Sequence, residues 1–304
     1  NTKKSWDNPA ALANVAFANS GFMLEATRSS SEEKITINHI NSSNASGVEH
    51  MRNIYSFKKS AKLTIIENFY NLHEPVSRVN NAVSQWILEE DAVVNLYSLN
   101  SWQGTAGSRN VTSSFIYQKK NSVTSFFNSY TEANSIKNNV HALLEEEHAI
   151  CNLYSISLLN KSNCVEHDIF IEHLKKNCQS QQVYKGVFGD SSRGRFDSLV
   201  LVHKDAQKTS AIQQNNNIIL SEKSVVQSNP QLEIFADDVE CAHGSTVGQI
   251  DDEALFYLRS RGVGQRAAYN ILLNAFLYDV VDKINDSLAL KITEDAIKQK
   301  LNTL

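Results

Sequence analysis

A thiol and an imidazole stand two positions apart in the last third of the chain, where Cys241 precedes His243 and Gly244 follows. A strand-like segment, residues 232–235, comes before them, and a helix start at Asp251 comes after. If the segment is extended, side chains at i and i+2 point to the same side, so the two groups could act together. A thiolate or a neutral imidazole can hold iron, and a thiolate can also accept persulfide sulfur. The spacing alone favours the structural alternative, in which Cys241 is a small buried residue and His243 a hydrogen-bonded turn residue.

A second group of metal-binding residue types lies further upstream. Cys164, His167, His173 and Cys178 follow the spacing C-x2-H-x5-H-x4-C, which raises the hypothesis of a zinc site. The spacing matches no standard zinc motif, and a strand–turn–strand path would separate the two ends of the group. The sequence therefore favours coincidence over a metal site here.

Several aspartates support a rival hypothesis for the whole protein. Many β-helix proteins act on polysaccharides through carboxylates, in some cases with Ca²⁺. The acidic residues of this chain are loosely spaced, so solvated turn positions are the interpretation that the sequence favours. A β-helix carbohydrate-active enzyme acting on acidic polysaccharides stays open as the alternative function. The aspartates are Asp190, Asp197, Asp205, Asp237 and Asp238.

Composition excludes some broad classes of protein. The chain has 304 residues, of which 41% are hydrophobic and 20% charged, and its formal net charge is −4. A mildly acidic chain without a basic block does not suit general nucleic-acid binding. No apolar run approaches the roughly 18 residues that span a bilayer, and residues 1–6 contain no apolar core of the signal-peptide kind. We therefore expect a cytoplasmic protein without a membrane segment, whose cysteines 151, 164, 178 and 241 are reduced.

Short alternating segments dominate residues 35–220 and indicate β-strands of four to eight residues. Small residues precede many of these strands and recur at intervals of 27 to 31 residues. A period near thirty predicts a β-solenoid in which each repeat supplies about one coil. The alternative is a β-sandwich with evenly spaced hairpins, which the scarcity of Asn-Gly and Asp-Gly turns disfavours. The recurring residues are Ala61, Ala92, Ser122, Ala149, Asn177 and Ala206.

Helical patterns mark both ends of the chain. Asn8 and Pro9 predict the start of a short N-terminal helix. Asp251 predicts the cap of a helix that ends near Gly262, and residues 267–284 carry the broad apolar stripe of a second helix. Thr293 predicts the cap of a last helix over residues 294–301. These helices form a small unit expected on the end of the β body, with domains at 22–239 for the β core and 240–304 for the helical part.

The C-terminal third also resembles one known family. Residues 206–209, 215–217, 230–234, 241–244 and 256–262 are similar to the signature of the SufB/SufD group of iron–sulfur cluster assembly proteins. The chain is nearer to the SufD branch, which reads Cys-x-His-Gly at this turn, whereas SufB has glutamate at the position of His243. The resemblance implies a right-handed parallel β-helix core with helical regions on both sides. Residues 1–21 would then be the remnant of an N-terminal helical region.

The resemblance also implies a function and partners. A SufD-like chain would pair with a SufB-like subunit through the β-helix core and bind a SufC-like ABC ATPase through its C-terminal helices, with a homodimer in isolation. It would be a non-catalytic scaffold of an ATP-using complex, holding no cofactor firmly but handling iron or a nascent iron–sulfur cluster. The functional histidine of the SufD branch falls on His243, and Cys241 carries a weaker implication. A third hypothesis is a purely structural partner without a chemical residue, and burial in strands is the expected fate of Cys151, Cys164 and Cys178.

Overall fold

The computed structural model describes residues 8–28, 33–41, 46–71, 77–100, 108–131 and 134–304. Residues 1–7 of the predicted N-terminal region lie outside this part. The described residues form sixteen strands and four helices. In chain order they are α1 (Pro9–Phe17), β1 (Met23–Ala26), β2 (Glu33–Asn41), β3 (Gly47–Phe57), β4 (Lys62–Asn71), β5 (Arg78–Leu88), β6 (Val93–Asn100), β7 (Arg109–Gln118), β8 (Val123–Tyr130), β9 (Ser135–Leu144), β10 (Ile150–Leu159), β11 (Cys164–His173), β12 (Gln179–Phe188), β13 (Arg193–Val202), β14 (Thr209–Ile219), β15 (Val225–Ile234), β16 (Val239–Gly248), α2 (Asp252–Ser260), α3 (Gln265–Val281) and α4 (Ser287–Leu301).

The strands alternate between two parallel sheets. The odd-numbered strands form one sheet in the order β1 to β15, and the even-numbered strands form the other in the order β2 to β16. Each strand therefore pairs with the strand two places along the chain, and the chain winds through about seven turns. This confirms the predicted mostly-β parallel solenoid with a short N-terminal helix and C-terminal helices.

Repeated corners explain the period near thirty. At one corner of the solenoid, where the chain enters the even-numbered strands β4 to β14, a non-glycine residue has positive φ in each turn. Polar residues dominate here because Asn and Asp tolerate the left-handed conformation better than other side chains with a Cβ. A small or buried residue directly follows each of these corner residues. The predicted series of such residues is correct up to Ala149, but its last two members are Cys178 and Thr209 instead of Asn177 and Ala206. The corner residues are Ser60, Asp91, Asn121, His148, Asn177 and Lys208.

The main core fills the space between the two sheets. Inward-facing side chains from successive turns stack into columns because parallel strands two apart in sequence are in register. In one such column the ring of Trp86 stacks on that of Tyr55, with the ring centroids 3.7 Å apart. Ladders of this kind bury apolar surface continuously along the solenoid, which is the main stabilising term in such folds.

The helices cover the outer faces of the sheets. Helix α1 lies on the odd-numbered sheet, where Ala11 packs with Val83 and Phe115, and the amide of Asn14 donates to the carbonyls of Met51 and Asn81. Helices α3 and α4 pack on the flank of the even-numbered sheet, and the expected position on the end of the β body is wrong. Parallel sheets are usually covered on both faces, and the apolar outer surface of this sheet provides the reason.

The observed element boundaries differ from the predictions in several places: most strands have 9–11 residues instead of four to eight, and α3 runs over Gln265–Val281 instead of 267–284. Strand β16 runs to Gly248, so the β body continues beyond residue 239, and the first C-terminal helix begins at Asp252 with Asp251 as its cap. The last helix begins at Ser287 with Asp286 as its cap, whereas Thr293 lies inside it and donates to a backbone carbonyl one turn earlier. None of the described helices is both long and apolar enough to cross a bilayer.

Candidate functional site

Cys241 and His243 lie on the last strand of the solenoid. Strand β16 pairs with β14 on one side, and no described strand pairs with its other edge. Strand β15 ends the other sheet in the same way, and the two edge strands are in contact. The predicted thiol and imidazole therefore stand at an open end of the solenoid, flanked by two unpaired strand edges.

Strand register decides which way the two side chains point. On β14, Ala211 and Gln213 are buried, whereas Ile212 and Gln214, which alternate with them, are exposed. Cys241 is in register with Ala211, and His243 with Gln213, so both belong to the inward side of the next turn. The prediction that the two residues share a side is met. No further turn among the described residues covers this side, and His243 is exposed.

Cys241 is partly buried against the end of the main core. Burial raises the pKa of its thiol, and a backbone hydrogen bond at Ala211 opposes this shift. A thiol with a raised pKa keeps its proton near neutral pH and is a poor nucleophile. Cys241 can therefore bind a metal only after the metal displaces this proton. The imidazole of His243 is exposed.

The other inward-facing side chains of the rim are uncharged, and they include both polar and apolar residues. The hydroxyl of Ser245 donates to that of Ser228 at 2.7 Å and joins the two edge strands. Leu232 and Val239 complete the apolar part of the rim next to the core. No group of three His, Cys, Asp or Glu residues in the described ranges is arranged to hold a metal ion. The rim can thus supply one or two ligands, and any complete iron site here needs ligands from another molecule.

The upstream histidines and cysteines do not form a site. His167 faces the interior, where burial lowers its pKa to about 3. His173 also faces the interior, further along the same strand, and contacts the hydroxyl of Ser180 at 2.9 Å. Cys164 is on the opposite, outward side of the same strand. The buried thiol of Cys178 donates to a backbone carbonyl. The zinc hypothesis is wrong, because Cys164 faces away from the two histidines and no three such residues in the described part of the chain are arranged to hold a metal ion.

The expectation of burial is confirmed for Cys151 and Cys178 but not for Cys164. Cys151 is completely buried in the main core, and burial raises its pKa to about 12. Cys164 is only partly buried, and burial is again the main cause of its raised pKa. Both thiols stay protonated at neutral pH, so neither is activated for sulfur chemistry.

The aspartates of the alternative function are dispersed. Asp197 forms an ion pair with Arg195 on the outer face of the odd-numbered sheet. Asp190 accepts a hydrogen bond from the backbone of Lys161 at one corner of the solenoid. Asp205 and the pair at 237–238 lie at the opposite corner. These positions do not form the facing pair of carboxylates that glycoside hydrolysis requires.

Two polar groups became visible only in the structure. One is a buried chain of two hydrogen bonds beneath the open end, which joins Gln182, Ser198 and Gln213. A signal existed in the sequence, because glutamine at an inward position of an alternating strand is unusual. On the outer face, Glu172 accepts from His141 at 2.9 Å and from His203 at 3.2 Å. No local pattern indicated this cluster, since its members come from three separate turns.

Comparison with known proteins is consistent with this architecture. Residues 38–276 match the family described as SUF system FeS cluster assembly, SufBD core domain. The chain is 35% identical to the iron–sulfur cluster assembly protein SufD of Escherichia coli over 164 residues, which is 54% of this chain and 39% of that protein. A SufBD family protein of Synechocystis sp. is 29% identical over 205 residues, 67% of this chain and 45% of the relative. SufD of Plasmodium falciparum is 26% identical over 244 residues, 79% of this chain and 16% of that protein. In each case the match spans less than half the length of the relative.

Proposed function

The chain belongs to the SufBD family of iron–sulfur cluster assembly proteins of the SUF system, and we propose that it is a SufD-like scaffold subunit of a SufB–SufC–SufD complex. The observation that carries this proposal is the open end of the solenoid, where His243 and Cys241 stand beside two unpaired strand edges. In the complex the chain assists iron acquisition and cluster formation at its boundary with the SufB-like subunit. It is a scaffold, and ATP hydrolysis belongs to the SufC-like partner.

The strand edges of β15 and β16 support a SufB-like partner at this end. Unpaired N–H and C=O groups along an edge favour the addition of further strands. Docking there covers His243, excludes water from the rim and brings in ligands that the rim lacks. The same edges allow two copies of this chain to pair when the SufB-like subunit is absent.

Iron and the nascent cluster are cargo in this proposal. A neutral imidazole is a good ligand for iron, so we assign the primary contact to His243. Cys241 has the secondary role, because its burial-raised pKa keeps the thiol protonated until a metal displaces the proton.

The C-terminal helices support the second partner. Helix α2 exposes large apolar side chains, with Phe256 74% and Tyr257 57% exposed. Tyr278 on α3 is also exposed, although the opposite side of that helix is fully buried against the sheet. Exposed aromatic residues on a firmly held helical layer suit a protein interface, and we assign the SufC-like ATPase to it.

The experiment that tests the proposal is reconstitution. The chain, a SufB-like subunit and a SufC-like ATPase are co-expressed, purified by gel filtration under reducing conditions, and supplied with iron and a sulfide source. We expect a stable complex with either His243→Ala or the native residue, because the imidazole is a small part of the interface. We expect the rate of cluster formation, followed by its visible absorption, to fall at least tenfold in His243→Ala.

The matched control is Glu240→Ala, an exposed residue on the outward side of the same strand. It should retain the native rate of cluster formation. An unchanged rate in His243→Ala would favour the purely structural partner. Failure of the native chain to join either partner would overturn the assignment to the complex.

A further inference from the structure

The column of inward-facing side chains that ends at His243 changes character along the solenoid. In register from earlier turns it contains Leu96, Phe126 and Leu153. The next two positions are Gln182 and Gln213, directly before His243. Apolar residues fill the rest of this column, so packing alone does not require amides beneath the histidine.

The two glutamines are joined through a serine from the opposite sheet. The Nε2 group of Gln213 donates to Oγ of Ser198 at 2.8 Å, and that hydroxyl donates to Oε1 of Gln182 at 2.8 Å. All three side chains are buried. Because a hydroxyl has one proton, its donation to Gln182 requires that Gln213 present its NH₂ group to Ser198. With this pattern of donation the two ends of the hydrogen-bonded chain, Nε2 of Gln182 and Oε1 of Gln213, are left without a hydrogen-bond partner among the described residues.

That oxygen is a buried acceptor without a hydrogen-bond partner among the described residues. Burying an unpaired amide oxygen is unfavourable, and such groups call for a functional explanation. His243 is the in-register neighbour of Gln213 in the next turn, one strand spacing of about 4.8 Å away. The imidazole of His243 is exposed, and directly opposed side chains on the same face of neighbouring strands are close enough to make contact.

We propose that Gln213, oriented by Ser198 and Gln182, is a positioning residue for His243. Its Oε1 accepts the N–H of one ring nitrogen, which fixes the tautomer and directs the lone pair of the other nitrogen toward the open end. A neutral imidazole can bind a metal only through its unprotonated nitrogen, and metal-binding histidines commonly donate their other N–H to such an acceptor. The inference rests on the function proposed above, since it assigns a role within that site.

The surroundings of His243 make this interaction measurable. Its inward-facing neighbours on β14, β15 and β16 are uncharged, and Cys241 is the titratable group among them, with a raised pKa that keeps it protonated. A charge introduced at position 213 is therefore not masked by another charge on that side.

The first test uses the isolated chain and an NMR titration of the His243 ring protons. Gln213→Glu keeps the acceptor and adds a negative charge, so we expect the pKa of His243 to rise by about one unit or more. The matched control is Gln214→Glu, which places the same charge on the exposed side of the same strand and should shift this pKa much less. Equal shifts in both variants would overturn the proposal, because they would show a field effect without a specific contact.

The second test uses the reconstituted complex and the iron concentration that gives half-maximal cluster formation. Gln213→Leu removes the acceptor with an apolar side chain of similar size, and we expect about tenfold more iron to be needed. In the His243→Ala background the same substitution should have no further effect. A persistent effect there would show that Gln213 acts structurally, and this would overturn the positioning role. If His243→Ala alone changes nothing, the proposed iron role fails, and the titration still decides whether Gln213 contacts His243.

Discussion

Replacement of Leu277 by alanine tests whether the C-terminal helices form one unit held on the flank of the solenoid. The Leu277 side chain is 0% exposed and packs in the cluster between α3, α4 and the outer face of the even-numbered sheet. Truncating a fully buried leucine costs about 2–5 kcal/mol, because apolar contact is lost and a cavity is left. The anchor of Lys185, which donates to the Phe276 carbonyl at 2.7 Å and pairs with Asp279 at 2.5 Å, remains in this variant.

Native-state hydrogen exchange by mass spectrometry measures the effect. If the helical layer opens as a unit, the packing energy lost in Leu277→Ala lowers the free energy of opening by the same amount. Exchange in α3 and α4 then accelerates about 30-fold to several thousand-fold. Exchange in β10 and β12 should change little, because these strands are held by their neighbours in the sheet. The control is Ile271→Ala on the same helix, where the side chain is 47% exposed and the expected change is within about 0.5 kcal/mol.

Two outcomes would refute this reasoning. Equal acceleration in the helices and in β10 and β12 would mean that helices and solenoid unfold together. Unchanged exchange in α3 would mean that the helix does not depend on its packing against the sheet. In the expected case, Leu277→Ala should also weaken binding of a SufC-like ATPase, since the proposed docking surface is then presented by a partly detached layer.

Three further predictions concern stability and reactivity. Two histidines donate to Glu172 and lower its pKa, so the contribution of this carboxylate to stability is complete above the ordinary carboxyl pKa and is lost as pH falls through the lowered value. Glu172→Gln should therefore destabilise the protein at pH 7 by about 1–3 kcal/mol in urea titrations. A difference between variant and native protein that does not shrink in acid would contradict this. A Cβ on Gly186 would lie 2.3 Å from the ring of Phe188, so Gly186→Ala should destabilise the protein by about 1–3 kcal/mol and lower the melting temperature. Phe188→Leu should restore part of this loss of stability. Equal effects of Gly186→Ala in the native protein and in the Phe188→Leu variant would exclude the clash. Burial raises the pKa values of Cys241 and Cys151. Iodoacetamide should therefore modify Cys241 slowly at pH 7 and faster as pH rises, and it should modify Cys151 only when the protein unfolds. Rapid modification of Cys241 at neutral pH would contradict this, because it would show an activated thiolate.

Local signals in the sequence predicted much of this fold. Side-chain alternation and the recurrence of corner residues depend on one turn at a time, so the solenoid and its period near thirty could be inferred from Ala61 to Ala149 without any contact map. The cap at Asp251 and the glycine with positive φ at Gly262 likewise bounded α2 correctly. The start of α4 was missed because Thr293 can serve either as a cap or as an interior residue that bonds back to the preceding turn.

The candidate site was predictable in its residues but not in its surroundings. Motif and spacing single out Cys241 and His243, and alternation along a strand already implies that they share a side. What lies beneath them depends on register across several turns, which brings Gln213 from thirty residues upstream under His243 and connects it to Ser198. Register is a property of the whole stack of strands, and no window of local sequence encodes it.

By itself, the sequence determined the class of the protein, because hydrophobic periodicity, corner residues and helix caps are short-range effects of side-chain shape and hydrogen bonding. Its motifs also determined the family, which the match over residues 38–276 confirms. Only the tertiary structure decided that the helices lie on the flank of a sheet, because the apolar surface on which they pack is formed by Tyr97, Phe127 and Tyr154 from three different turns. It also decided that His243 stands at an uncovered end above a buried acceptor, since burial and exposure follow from which strand is last in the stack. Interactions within one strand or corner are local in sequence, whereas those that build the site join residues 15, 16 and 30 positions apart.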